Sequence, residues 1–276
     1  MRGGRGFRLA CLAVTAAAAS ACGARPPGDL DGDRRADVLF QHRATGELSL
    51  WSLGSDRAPR AVHVESSDDI HWRVVGTADF DADGRTDLLL RHTDLGALGL
   101  WLMDGTRRRS GINLPDHPDA TWRVAATGDF DGDGHPDVLW YQETTGRLSV
   151  WIFSGTLPKS VAPISPDAPA DWDPAGAGDF DGDGKTDIVW RNRRSGAVGV
   201  WIMNRLSRVS GLVLPPVPDL AWRIEAVGDF DGRGKPGILW RHASSGECRL
   251  WRVAASGVTI VPLPARPAEW ETVGPR

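Results

Sequence analysis

At 276 residues, with 32 Lys+Arg against 36 Asp+Glu and a formal net charge of −4, the chain can hold one large domain or two small ones. All but three of its basic residues are Arg, and no basic stripe or aromatic-basic platform runs along it. That pattern speaks against nucleic acid as a partner.

In chain order, residues 1–21 read as an export signal. Arg2, Arg5 and Arg8 form a positive head, residues 9–19 an apolar core, and Ala19-Ser20-Ala21 a small-residue cleavage site. The apolar run is too short to cross a bilayer, so no transmembrane span is expected. The segment is also similar to a bacterial lipoprotein signal, in which the thiol of Cys22 is acylated, although Ala19 stands where Leu is usual. Ordinary cleavage and acylation both stay open, and membrane attachment is expected only with acylation. Residues 22–27 read as a linker. Cys248 lies in an apolar strand pattern with no obvious partner and is expected to be a small buried hydrophobe.

From residue 28 to 276 a fifty-residue repeat governs the chain. Trp51, Trp101, Trp151, Trp201 and Trp251 recur at that interval, as do Gly46, Gly96, Gly146, Gly196 and Gly246. Trp72, Trp122, Trp172 and Trp222 keep it too, with Trp270 two residues early. In the third copy four strands are expected at 122–130, 136–142, 147–154 and, more weakly, 160–164, each bounded by turn residues. The Gly146 series falls in a hairpin between the second and third strands. Runs such as DVLW and LSVWIF are apolar on both faces, and a sheet of that kind must be covered on both faces. Four-stranded sheets packed around an axis do this, so the fold class is all-β, a five-bladed β-propeller. Small residues in the first strand (Ala78, Gly128, Gly178, Gly228) place it innermost. The final segment, Trp270–Arg276, matches the start of a copy, so it is expected to complete the first blade and close the ring. A four-bladed ring with a spare copy and a dimeric larger ring are the alternatives.

Between the first two strands of each copy lies the pattern D-x-D-x-D-G-x-x-D. It is intact at Asp79, Asp81, Asp83 and Asp87, at Asp129, Asp131, Asp133 and Asp137, and at Asp179, Asp181, Asp183 and Asp187. Alternating carboxylates on a tight loop converge hard oxygen ligands, which suits calcium, and the backbone carbonyl of Arg85, His135 or Lys185 would add a further ligand. A solvated acidic turn is the bland alternative. Asp29, Asp31, Asp33 and Asp37 keep every carboxylate of the first copy, but Arg34 replaces Gly, so weaker binding is expected there. In the fifth copy Arg233 and Gly237 replace two Asp, so Asp231 is expected to pair with Arg233 and no metal to bind. Three or four calcium ions are the expectation.

GDFDGDGKTDIVW and its copies resemble FG-GAP (VCBS-type) repeats, found in integrin alpha-chain propellers and many bacterial secreted proteins. The resemblance covers residues 28–276. It implies calcium in the loop that joins a blade's first two strands, and a binding or adhesion scaffold of unspecified ligand. The chain departs from integrins in having five repeats where the integrin propeller has seven blades. It also carries its own tryptophan pattern in place of the FG and GAP segments.

Three functions are open to such a chain. The first is a secreted, periplasmic or surface module that binds a glycan or an extracellular protein without catalysis. Most of the thirteen Trp are expected in the core. The pairs Trp72–Arg73, Trp122–Arg123 and Trp222–Arg223 are the candidate ligand contacts near a rim. The second is a purely structural or assembly module. The third is an enzyme such as a propeller-type polysaccharide lyase or hydrolase, and it is disfavoured. No G-x-S-x-G, H-E-x-x-H or Cys-His metal spacing occurs, and His42, His92 and His242 recur at equivalent positions, which points to a structural role.

Overall fold

The computed structural model describes residues 25–53, 60–117, 119, 121–169, 171–267 and 269–274. The export signal and Cys22 lie outside the described residues. Those described hold twenty strands and no helix.

The strands form five antiparallel four-stranded blades. The second blade is β4 (Trp72–Ala78), β5 (Asp87–His92), β6 (Leu98–Asp104) and β7 (Arg107–Leu114). The third is β8 (Trp122–Gly128), β9 (Asp137–Gln142), β10 (Leu148–Ser154) and β11 (Leu157–Pro163). The fourth is β12 (Trp172–Gly178), β13 (Asp187–Asn192), β14 (Val198–Asn204) and β15 (Ser207–Leu214). The fifth is β16 (Trp222–Gly228), β17 (Gly237–His242), β18 (Cys248–Ala254) and β19 (Gly257–Leu263). The first joins both ends of the chain: β20 (Trp270–Gly274) pairs with β1 (Val38–His42), followed by β2 (Leu48–Ser52) and β3 (Arg60–Val64). The ring therefore closes by the C-terminal strand completing the N-terminal blade, and the four-bladed alternative falls.

Packing follows from the two-faced apolar strands. In the third blade Val138, Trp140, Trp151 and Phe153 face the second blade's Leu89, Leu98 and Leu100. Leu139, Leu148, Val150 and Ile152 face the fourth blade's Ile188, Trp190 and Trp201. The Trp51 series is buried throughout, and Trp140–Trp151, Trp190–Trp201 and Trp240–Trp251 meet as tilted pairs 4.5–5.1 Å apart. Cys248 is buried and free, and burial pushes its thiol up to about 11.

Inner strands touch their neighbours around the axis, β20–β4–β8–β12–β16–β20. The approach is close enough to require small residues: a Cβ on Gly128 would stand 2.6 Å from Thr186 Cγ2. The outermost strand of the third blade begins at Leu157, earlier than the expected 160, because it forms an exposed edge and carries little apolar pattern.

One repeated device was not foreseen. The second-strand positions Gln41, Arg91, Tyr141 and Arg241 each donate to the carbonyl of the Trp that opens the next blade: Trp72, Trp122, Trp172 and Trp270. The sequence signal is a long polar side chain, or Tyr, recurring at fifty-residue spacing.

Candidate metal centres

Each Asp-rich loop leaves the end of an inner strand and returns as the second strand, so the loops ring one mouth of the channel. The hairpins and the Trp72 series ring the other.

The third loop shows how the sequence curls the backbone. Asp129 Oδ1 accepts the N–H of Gly132 at 2.7 Å and of Asp133 at 3.1 Å, and its Oδ2 accepts Gly134 N–H at 2.9 Å. Asp131 and Asp133 each accept the N–H two residues on. Gly134 has φ +89°, a conformation that favours Gly.

Asp137, the ninth position, is fully buried. Its Oδ2 accepts Phe130 N–H at 2.9 Å and Asp131 N–H at 3.2 Å, while Oδ1 accepts Phe153 N–H at 3.0 Å from the third strand. Asp87 and Asp187 make the same link to Met103 and Met203. In these three blades the ladder between the third and fourth strands shifts register at this residue, between Ile152 and Phe153 in the third blade, where the fourth strand carries one extra residue. The ninth Asp therefore braces the loop to its blade, a job the motif alone does not disclose.

Four loops bring three carboxylates within 4.8 Å of one another: Asp79, Asp81 and Asp87; Asp129, Asp131 and Asp137; Asp179, Asp181 and Asp187; and Asp29, Asp31 and Asp33. Among the described residues the fifth loop has no such group. Burial pushes Asp87 up to about 7 and Asp137 and Asp187 to about 6, against backbone hydrogen bonds that pull them down; Asp81, Asp131 and Asp181 add to the rise. Carboxylates crowded in this way become favourable when a cation joins them. The donor set, hard oxygens with one member buried, fits a calcium-like ion.

The fifth-position carboxylates lie outside these groups in the three intact loops. Asp83 accepts Arg109 Nη1 at 2.9 Å, and Arg109 also pairs with Asp81. Arg85 stands 3.7 Å from Asp83, and Lys185 Nζ 2.8 Å from Asp183. Asp133 forms no ion pair among the described residues, and His135 Nδ1 is buried without a partner. Arg85, Lys185 and His135 were expected to contribute backbone carbonyls; the structure adds that the first two also supply cationic side chains.

The departing loops differ as their sequences imply. Arg34 takes φ +69°, a costly conformation for a non-glycine residue, and burial pushes Asp37 up to about 8 with its Oδ1 unpartnered. In the fifth loop Asp231 forms ion pairs with Arg233, 3.1 Å from Nε, and, unforeseen, with Arg252, 2.9 Å from Nε. Arg252 was detectable, since Leu102, Ile152 and Ile202 hold its place in other blades.

At the other mouth, Trp222 is buried beneath Arg249, whose Cζ lies 3.9 Å from the ring centroid, and Trp72 and Trp122 are half-buried against the core. Their sequence neighbours point elsewhere, because successive strand residues face opposite sides. Arg73 binds the carbonyls of His42 and Arg43, and Arg123 pairs with Glu143 at 2.9 Å. The recurring His42, His92 and His242 accept loop N–H groups at Nδ1 and meet a Trp edge. His71 joins Asp69 and His92 in the second blade, a grouping of metal-ligand type. His71 Nδ1 is hydrogen-bonded to Asp69 Oδ1 at 2.9 Å, and His92, whose Nδ1 accepts the N–H groups of Asp94 and Leu95, places Nε2 3.3 Å from Asp69 Oδ2, so the three side chains already engage one another.

The chain matches the family model described as FG-GAP-like repeat three times, over residues 79–140, 129–190 and 179–240. No curated protein matches it. Among solved structures, a chain of the nidogen/laminin complex is similar at 13% identity and TM-score 0.50, with 86% of this chain and 95% of that one covered. The Photorhabdus luminescens Tc holotoxin pore matches at 16% identity and TM-score 0.47; 91% of this chain spans 11% of that chain. A Bacteroides uniformis protein provisionally named a 6-phosphogluconolactonase matches at 14% and 0.41, over 92% and 72%. These likenesses concern the fold alone.

Proposed function

The chain belongs to the FG-GAP-like repeat family, and from that premise we propose that it is an exported, calcium-stabilised and non-catalytic module that binds a glycan or an extracellular protein. Asp79, Asp81, Asp83 and Asp87 hold one ion, with equivalent sets in the third and fourth loops and a weaker one at Asp29, Asp31, Asp33 and Asp37. The carbonyls of Arg85, His135 and Lys185 complete the stronger sites. The observation that carries this reading is the repetition of one carboxylate group around a single mouth, each with a buried member at the ninth or first position. Among the described residues no helix is long and apolar enough to cross a membrane. Export therefore rests on residues 1–21, and envelope attachment on acylation of Cys22.

Metal that binds only the folded ring stabilises it by mass action, by about 1–3 kcal/mol per site at ten to a hundred times the dissociation constant. Metal analysis of the dialysed protein tests the reading: three or four calcium ions per chain are expected. None, or five, would overturn it.

A further inference from the structure

The five blades contribute unequally to the hairpin mouth of the channel, and a site that occurs once must break the repeat. Four inner strands there line an open cup of about 540 Å³, with five Arg side chains against three carboxylates. Three of the guanidiniums are committed. Arg43 pairs with Glu271 at 3.5 Å, Arg193 with Asp173 at 3.6 Å and Arg123 with Glu143 at 2.9 Å.

The fifth-blade counterpart of Arg123 is Arg223, but the counterpart of Glu143 is Ala243. Arg223 is exposed and forms no ion pair or hydrogen bond among the described residues. Its neighbour is Arg191, which donates to the carbonyls of Val217 and Asp219 and lies over Trp240 at 5.1 Å. Arg191 Nε is buried without a partner. Burial lowers the Arg191 pKa, Asp219 offsets part of that, and the like charge of Arg223 adds to it.

Arg191 and Arg223 line the cup together and neither forms an ion pair among the described residues. Two such guanidiniums favour an external anion, which can take charge-assisted hydrogen bonds from both. The remaining lining adds carboxylate acceptors and the Asn192 amide donor for hydroxyl groups, the Asn192 oxygen being taken by the N–H groups of Arg194 and Ser195, and a small apolar face from Leu220, 46% exposed, and Ile224. Anion, hydroxyls and a short apolar face together describe a sugar acid, and the cup's volume suits a chain end. We infer that this mouth binds the terminal uronic acid of an anionic glycan, with its carboxylate bridged by Arg191 and Arg223. The inference rests on the binding-module reading and gives that module a ligand class and a face.

The test is titration of the calcium-loaded protein with a glucuronate-terminated oligosaccharide, its glucose-terminated counterpart, inorganic sulfate and a Glu-rich peptide. Saturable binding of the uronide in preference to the others is expected, weakened about tenfold or more by Arg223→Ala. Ala243→Glu supplies the partner that Glu143 gives Arg123, so it should weaken binding comparably while removing no Arg. Unchanged melting temperatures in both variants exclude misfolding as the cause. Uronide binding that neither variant alters, equal binding of the neutral sugar, or a preference for peptide or sulfate would overturn the inference. A neutral glycan captured elsewhere would remove this site and leave the module reading standing, whereas a folded ring that binds nothing on a broad glycan and protein array would count against both.

Discussion

The third and fifth loops occupy the same place in successive turns of one repeat, yet they reach their shape by different means. In the third, Asp137 ties the loop to Phe153, opposite a bulge in the fourth strand, and joins Asp129 and Asp131 in a carboxylate group. In the fifth, Gly237 has no carboxylate to offer. It enters the ladder opposite Arg252, the pairing of β18 with β19 runs without a bulge, and Arg233 and Arg252 neutralise Asp231. The loss of the ninth Asp thus goes with a fourth strand one residue shorter, Cys248 pairing with Leu263 where Val198 pairs with Leu214, and with two guanidiniums on Asp231. A blade can solve the repulsion of its own carboxylates with built-in cations or, on the present account, with a bound one.

The sharpest way to break this contrast is Asp137→Ala. It orphans two buried N–H donors and a part-buried one as well as removing a proposed ligand, so a loss of about 3–5 kcal/mol is expected. Because most of that loss is the brace, thermal melting should show it in chelator as well as in calcium. Gly237→Asp is the converse graft. A Cβ there would come within 3.0 Å of Trp251 O and of Leu250 Cδ1, so about 1–3 kcal/mol of destabilisation is expected. Calorimetric titration should detect no added calcium site. The smallest effect is Arg109→Ala in the second loop. Its guanidinium occupies carboxylates that calcium would share, and solvent screens an exposed pair of this kind. A calcium affinity about two- to fivefold higher should follow at that loop alone.

The repeat made the architecture legible before any coordinates, because Trp and Gly held a fifty-residue interval and the strands were apolar on two faces. Ring closure by Trp270–Gly274 was legible for the same reason. What escaped was whatever depends on register between strands. The link from Asp137 to Phe153 and the reach of Arg252 and Arg109 into neighbouring loops join residues distant in sequence, and no local motif records them. Adjacency also misleads: Trp222 and Arg223 are neighbours in sequence, but strand alternation parts them, and the cation over Trp222 is Arg249. The exposed outer strands were faint because their burial alternates little, as in β15 (Ser207–Leu214).

The central claim is that the intact loops hold calcium and that the ion stabilises the ring. Asp133 is the cleanest probe, since among the described residues its side chain forms no ion pair and accepts its hydrogen bond from His135 N–H in its own loop. The measurement is the melting temperature of Asp133→Ala against the parent protein, in calcium and in chelator. The account predicts a loss of about 1–3 kcal/mol in calcium that nearly vanishes in chelator. An equal loss in both buffers would contradict it.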